Sequence, residues 1–414
     1  MTETDLQGDR VKVSKEEGRV FEGVVMPSST PENLVIKLDD GYNVGVDREV
    51  SDVEVIEQGA PIEEDVEEGE SELVFDEDLP TISLLSTGGT IASTVDYRTG
   101  AVTAQFDAED VMRAVPDLAG MANYRGRVIS NILSENVTPE HWQELAKTVH
   151  EEIENGADGV VVMHGTDTMQ YTASALSFML DTPVPIVFVG SQRSADRPSS
   201  DNVLNAVSAV EAAKSDAAEI MVCMHRDGSD HVCNLHLGTR VRKMHTSRRD
   251  AFESVGQKPL GTVNYETREI DWNRDFSKRG ETELSIKSEL EHDVEFVKFV
   301  PGTDVDVLER CTEAEGVVLE GTGLGHVHSD WSDVIAEHDA LFVMTSQCLE
   351  GRVCDRVYDT GRDLLEAGVV EGEDMLPETA YVKLMWVLAN SEDPGEAMKT
   401  DLAGEITDCS RPWE

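Results

Sequence analysis

The chain has 414 residues, enough for two or three domains with cores of their own. Its 83 Asp and Glu outweigh 34 Lys and Arg, for a formal charge of −49 at pH 7. The acids are spread through every region between periodic apolar segments, which makes a disordered acidic tail a poor explanation of the charge. A solvated surface adapted to salt explains the charge better. The Debye length falls from about 10 Å in roughly 0.1 M salt to about 3 Å near 1 M, so the self-repulsion of such a surface is screened in a saline cytoplasm. The expected source is a halophile. The six cysteines show no CxxC spacing, which suits reduced intracellular thiols. The polar opening MTETDLQGDR is unlike a signal peptide, and no apolar run approaches the roughly 18 residues of a membrane span. The expectation is a soluble cytoplasmic protein.

In chain order, residues 8–56 come first. Val11 and Val13, then Val20–Met26, then Leu34, Ile36 and Leu38, and then Tyr42, Val44 and Val46 follow the strand period, with Asp40-Gly41 as a hairpin signal. About five short strands in roughly fifty residues predict a small, strongly bent barrel of SH3-like type. Glu57 to Asp78 is rich in Glu and Asp, has no Lys or Arg, and predicts an extended linker.

Strand and helix then alternate. Ile82–Ser86 predicts a buried strand that runs into Thr87-Gly88-Gly89-Thr90, where two glycines allow a tight turn and two threonines offer hydroxyls. A helix is expected over Asp107–Val115 and a strand near Val128–Leu133. Thr138-Pro139 opens a helix that runs to about Glu154, with Thr138 as N-cap. Gly159–Met163 predicts a second buried strand, which empties into His164-Gly165-Thr166-Asp167-Thr168 before a helix over Met169–Leu180. Asp167 could cap that helix, a role worth about 1 kcal/mol. Further units are a strand at Pro185–Gly190, a helix from Asn202 to Lys214 and a strand at Glu219–Met224. Repeated βα units predict a parallel, doubly wound sheet, with ligands at the carboxyl ends of its strands. The polar stretch Asn264–Ser288 predicts a linker. Strands near Val294–Phe299, Gly316–Glu320 and Ala340–Thr345, closed by a helix near Thr379–Asn390, predict a smaller α/β domain.

Two strand-to-loop junctions of this kind, TGGTIA and HGTDT, together resemble the L-asparaginase/glutaminase family of threonine amidohydrolases. The resemblance runs from about Leu79 to the C-terminus, and every role that follows is what it implies. Thr90 matches the primary nucleophile. Tyr97, in the mobile segment Ser93–Thr99, matches the tyrosine that closes over the substrate. Thr166 and Asp167 match the second motif, and Lys243, in Arg240–Thr246, completes a Thr-Lys-Asp triad in which the lysine serves as base. Read without the family, Lys243 is a surface cation in a cluster with Arg240, Arg242, Arg248 and Arg249. Ser134 and Glu135, in NILSENV, match the loop that grips the substrate's α-carboxylate and α-ammonium. Gly89 and Gly165 complete the substrate-binding set. Many bacterial family members have glutamine where Glu135 stands. In the loop Gly321–His328, from which a neighbouring subunit often donates a polar side chain, Leu324 offers none.

The fold class this implies is α/β: an asparaginase-like doubly wound parallel sheet domain and a smaller C-terminal α/β domain, preceded by the SH3-like barrel. Residues 1–58 form the barrel and 59–79 the acidic linker. Residues 80–270 form the N-terminal asparaginase-like domain with the catalytic threonines, 271–290 an interdomain linker, and 291–414 the C-terminal domain. Ordinary asparaginases begin almost directly at the TGGT strand. A barrel and linker before it resemble the D subunits of archaeal glutamyl-tRNA(Gln) amidotransferases, which release ammonia from glutamine. In that family a separate E subunit uses ATP and Mg to activate Glu-tRNA(Gln) and captures the ammonia. This chain then binds no cofactor or metal of its own. Its partners are the E subunit, a second copy of itself in a homodimer within a heterotetramer, and tRNA(Gln) in the complex, with no membrane. A stand-alone cytoplasmic L-asparaginase and a catalytically inactive docking scaffold are the alternatives. The complete set Thr90, Tyr97, Thr166, Asp167 and Lys243 argues against the scaffold.

Two further features suggest chemistry and carry little of it. Gly321-Thr322-Gly323-Leu324-Gly325-His326 hints at a dinucleotide loop, but His326 stands where the third glycine belongs. His231, Cys233 and His236 fit no standard zinc spacing, and alternation on a strand explains them as well.

Overall fold

The computed structural model describes residues 9–15, 20–26, 33–38, 43–47, 51–57, 76–88, 95–96, 101–102, 115–193, 199–311, 313–354 and 356–409. Gly89, Thr90 and Tyr97, the turn at Asp40-Gly41, most of the acidic stretch and most of the helix expected over Asp107–Val115 lie outside the described residues.

The first module is five antiparallel strands, β1 (Arg10–Lys15), β2 (Val20–Met26), β3 (Asn33–Leu38), β4 (Asn43–Asp47) and β5 (Ser51–Glu57), in the order β4-β3-β2-β1-β5. The alternation visible in the sequence is its core. Val11, Val13, Leu34, Ile36 and Val46 point inward together with Val25.

The central sheet has eight strands. They are β6 (Thr81–Ser86), β7 (Asn123–Val128), β8 (Gly159–Met163), β9 (Ile186–Val189), β10 (Ile220–His225) and β11 (Val232–Leu237), followed by the small hairpin β12 (Val241–Lys243) and β13 (Phe252–Ser254) outside it, then β14 (Gly261–Asn264) and β15 (Ile270–Trp272). The order in the sheet is β15-β14-β11-β10-β9-β8-β6-β7. β6 through β10 pair in parallel, whereas β11, β14 and β15 are antiparallel additions at one edge. The sheet is therefore mixed rather than wholly parallel. The reason is connection length. Residues 226–231 join β10 to β11, too few for the crossover of a dozen or so residues that a parallel neighbour needs.

Among the described residues three helices flank this sheet, α1 (Pro139–Glu154), α2 (Met169–Met179) and α3 (Asn202–Ala213). Ile82, Leu84, Val161 and Val187 pack on the α3 side, while Leu85, Val160, Val162 and Phe188 pack on the α1 and α2 side. Burial on both faces is why β8 is a continuous apolar run; β6 is buried along its whole length too, and its Ser83 hydroxyl is satisfied by donating to Glu152 Oε2 at 3.0 Å. The strand expected near Val128–Leu133 lies one strand-length earlier, at β7. Among the described residues it is the outer edge, paired with β6 alone, and its exposed Arg125, Gly126 and Arg127 hide it from an apolar reading.

The polar stretch Asn264–Ser288 is not all connection. It holds β15, and Ser285–Ile286 pairs with Leu180–Asp181. The C-terminal unit is a four-stranded parallel sheet, Val294–Lys298, Gly316–Gly321, Leu341–Ser346 and Val370–Glu371, with its own core around Trp331 and Phe342. Its long helix, Pro377–Asn390, packs on α2, so Val318, Val343 and Leu384 share one core with Phe188 and Leu176. A fully buried ion pair also crosses between the two units. Arg240 Nη2 donates to Asp374 Oδ2 at 2.9 Å, Nη1 to the Asp374 carbonyl at 2.8 Å and Nε to the Gly404 carbonyl at 3.2 Å. Arg240 is thus a buried strut rather than a surface cation.

Candidate active site

The site lies at the carboxyl ends of β6 and β8, adjacent parallel strands whose registry sets Met163 beside Ser86. Past β6, the Thr87 N–H donates to the Met163 carbonyl at 3.0 Å and its hydroxyl to the same oxygen at 3.2 Å. The Thr87 side chain therefore closes the strand pair and does not face a ligand, contrary to the expectation that both loop threonines present hydroxyls. Gly88 has φ of 114°, and a Cβ there would stand 2.5 Å from the Ile132 carbonyl oxygen. Both backbone angle and space require glycine at the start of this turn.

Past β8, the loop His164–Thr168 is locked against the loop that holds Ser134. The Thr168 N–H donates to Ser134 Oγ at 3.0 Å, and the Thr168 hydroxyl donates to the Ser134 carbonyl at 2.8 Å. The two hydroxyls are 2.9 Å apart, which leaves the Ser134 proton directed at Thr168. A Cβ on Gly165 would stand 2.7 Å from Ser134 Cβ, so only glycine permits this approach. Glu135 follows Ser134 in a single 3₁₀ turn and is exposed.

Thr166, Asp167 and Lys243 meet. Lys243, at the end of β12, donates from Nζ to Thr166 Oγ1 at 2.9 Å and to Asp167 Oδ1 at 2.7 Å. Its side chain is only 10 % exposed, while that of Asp167 is 66 % exposed. Asp167 is therefore an ion-pair partner and not a helix cap; Thr168 occupies the cap position of α2. The neighbouring cations are also engaged, Arg242 with Glu378, Arg248 with Asp250 and Arg249 with Asp230. A hydroxyl, an amine and a carboxylate in contact can activate an oxygen nucleophile: the amine takes the hydroxyl proton and the carboxylate stabilises the resulting ammonium.

Sequence reasoning missed His164. It is fully buried beneath the loop, with Nδ1 2.7 Å from the Gly165 carbonyl and Nε2 2.9 Å from the Thr172 hydroxyl. A carbonyl can only accept, so Nδ1 carries the proton and Nε2 accepts from Thr172. Burial pushes this imidazole down to about 4, so it is neutral and fixes the loop's backbone rather than moving protons. The only signal in the sequence is its place between an apolar strand and Gly165.

The pattern is shared with known proteins. Residues 81–277 match the family described as "Asparaginase, N-terminal", 293–400 match "Glutaminase/Asparaginase C-terminal domain", and 6–56 match "GatD N-terminal domain". The chain is 63 % identical to the glutamyl-tRNA(Gln) amidotransferase D subunit of Halobacterium salinarum, with 98 % of each chain covered. The chain belongs to the D-subunit family of glutamyl-tRNA(Gln) amidotransferases. The D subunit of Haloquadratum walsbyi is 58 % identical, over 98 % of this chain and 99 % of the relative. Among solved structures, the thermostable L-asparaginase from Thermococcus kodakarensis superposes with a TM-score of 0.72 at 32 % identity, over 79 % of this chain and 99 % of the other. The asparaginase-like fold is thus joined, in this family, to the N-terminal strand module. Two of the relatives come from organisms named for salt, Halobacterium and Haloquadratum, in line with the acidic surface.

Two side features resolve without chemistry. Thr322 and His326 form an isolated bridge, and the Thr322 hydroxyl donates to the His326 carbonyl at 3.0 Å, so this glycine loop closes on itself. The Leu324 carbonyl accepts from the Cys354 N–H at 2.9 Å. His231 is exposed beside Glu266, whereas Cys233 and His236 are buried on opposite faces of β11. No helix among the described residues is long and apolar enough to cross a membrane.

Proposed function

We propose that the chain is the glutamine-hydrolysing subunit of a tRNA-dependent amidotransferase. The observation that carries this reading is the contact of Lys243 Nζ with both Thr166 Oγ1 and Asp167 Oδ1 at the end of a central strand. In the reading, Thr90 Oγ1 attacks the side-chain carbonyl carbon of glutamine, with Tyr97 closing over it. The threonine proton passes to the amine side of the Thr166–Lys243–Asp167 set. The carbon–nitrogen bond breaks, ammonia leaves with a proton, and water releases glutamate from the threonine ester. Backbone amides at Gly89 and Gly165 serve the developing oxyanion. Ser134 and Glu135 hold the α-carboxylate and α-ammonium, Ser134 by exchanging its bond to Thr168 for one to substrate. Ammonia passes to the E subunit, which uses ATP and Mg to convert Glu-tRNA(Gln) to Gln-tRNA(Gln). The working assembly is a homodimer of this chain within a cytoplasmic heterotetramer, and residues 1–58, 80–270 and 291–414 are its domains. The family membership and the module at 6–56 favour this over a stand-alone asparaginase.

The test of this reading is Thr90→Val. Ammonia release from glutamine should fall by at least about 10²-fold with the melting temperature unchanged. A variant that keeps more than about a tenth of the wild-type rate, a loss under roughly 1.4 kcal/mol, contradicts the assignment.

A further inference from the structure

Lys243 Nζ donates to Thr166 Oγ1 at 2.9 Å, a contact that depends on how the Thr166 side chain is turned about χ1. The wall behind Thr166 is Gly190, the residue after β9. A Cβ built on Gly190 would stand 2.8 Å from Thr166 Cγ2, 2.8 Å from the His164 carbonyl oxygen and 2.8 Å from Met169 Cε. Gly190 is not in the left-handed region, so its backbone does not demand glycine. The space does. The Thr166 methyl fills the notch left by the missing side chain, and with the methyl there the hydroxyl is directed to Lys243 Nζ at 2.9 Å. A threonine side chain turns as one unit about χ1, so whatever moves the methyl also moves the hydroxyl.

The notch itself is rigidly held. Asn205, fully buried on α3, donates from Nδ2 to the Gly190 carbonyl at 2.9 Å and to Asp201 Oδ2 at 3.0 Å. Its Oδ1 accepts from His225 Nδ1 at 2.6 Å, which fixes which way the amide faces. Asp201, also fully buried, accepts further from the Ser191 hydroxyl at 2.9 Å and from the Gln192 and Arg193 N–H groups at 2.9 Å each. The chain turning away from β9 is thus pinned directly behind the reacting group.

We propose that Gly190 is a positioning residue for the amidohydrolase: its missing side chain receives the Thr166 methyl and so aims the Thr166 hydroxyl at Lys243, with Asn205 holding Gly190 in place. The inference rests on the reading of Thr166 as a catalytic group. Of the three contacts, Met169 Cε is the end of a flexible side chain and gives way readily. The His164 carbonyl is backbone, and its contact is the same whether residue 166 carries a methyl or not. Only the Thr166 contact depends on that methyl, and a double-mutant cycle isolates it.

The experiment compares the full-length wild type, Gly190→Ala, Thr166→Ser and the double variant, with the E subunit and Glu-tRNA(Gln) present. It reads kcat and KM for ammonia release from glutamine, with the melting temperature of each. Gly190→Ala is expected to lower kcat by about 10²-fold with KM within about threefold. In the Thr166→Ser background the same replacement should cost less than about fivefold. Equal losses in both backgrounds overturn the proposal. If Gly190→Ala does not fold, the proposal requires the double variant to fold; failure of both means that the His164 carbonyl, whose contact the two variants share, and not the Thr166 methyl is what demands glycine there, and overturns the proposal. Thr166→Val separates the two levels. An inactive Thr166→Val with an additive cycle refutes the role of Gly190 alone, while a fully active Thr166→Val refutes the catalytic reading and the proposal with it.

Discussion

Lys243→Met is expected to lower kcat for glutamine hydrolysis by about 10³-fold while leaving the protein folded. Methionine keeps much of the apolar stem, and the stem is what the site buries, since the Lys243 side chain is 10 % exposed. What is lost is the nitrogen between Thr166 Oγ1 and Asp167 Oδ1. The hydroxyl then has no base within reach, and Asp167, largely exposed, is left to water. Exposure of Asp167 is also why the fold should tolerate the change, because no buried charge is stranded. The measurement is kcat at saturating glutamine alongside a thermal melt. A loss under about tenfold, or about 1.4 kcal/mol, would remove Lys243 from the chemistry.

Acidification from neutral pH is expected to destabilise the protein through its buried histidines. Burial pushes His164 down to about 4 and His236 down to about 3. In the unfolded chain both titrate near about 6.5. Above that pH the imidazoles are neutral in both states and stability is at its full value. Between about 6.5 and 4 the unfolded chain binds protons that the folded chain refuses, so stability falls as pH falls. His164 alone accounts for about 3 kcal/mol by pH 4, and His236 adds to it. Lower pH also reduces the net negative charge, which acts in the opposite direction. Working in molar KCl screens that term. Denaturant midpoints taken from pH 7 to 4 should decline, and His236→Asn, which removes one titrating group, should flatten the decline. A decline as steep in His236→Asn as in the wild type contradicts the burial of His236 in neutral form, because the opposing contributions of net charge and of the raised His225 and Glu378 are common to both proteins.

Legibility in the sequence followed burial. β8 was visible because both faces are covered, which forces a run of apolar residues, and β6 was visible from Ile82, Leu84 and Leu85 running into a glycine turn. α1 carried its own start signal in Thr138-Pro139, and it begins at Pro139 with the Thr138 N–H donating to His141 Nδ1 at 3.1 Å. β7 and β15 were not visible, because each is an edge strand with one neighbour and needs no apolar run. In the site, the loops were found by their glycines and threonines, while Lys243 was found by resemblance alone. Nothing local marks it, since its partners are 77 and 76 residues away. Thr168 and Gly190 went unread for the same reason, since Thr168 bonds to Ser134 and Gly190 meets Thr166, both distant in the chain; His164 bonds locally, to Gly165 and Thr172, but its burial beneath the loop is set by the tertiary fold.

The most direct test of the account is ammonia release by the full-length chain, from glutamine and from asparagine, with and without the E subunit and Glu-tRNA(Gln). A glutaminase that hydrolysed glutamine freely would waste ammonia, and completion of such a site by a conformational step is a common point of control. The account predicts slow release from glutamine by the chain alone, rising at least about tenfold when both are added. Rapid asparagine hydrolysis by the lone chain, unaffected by either addition, would contradict it.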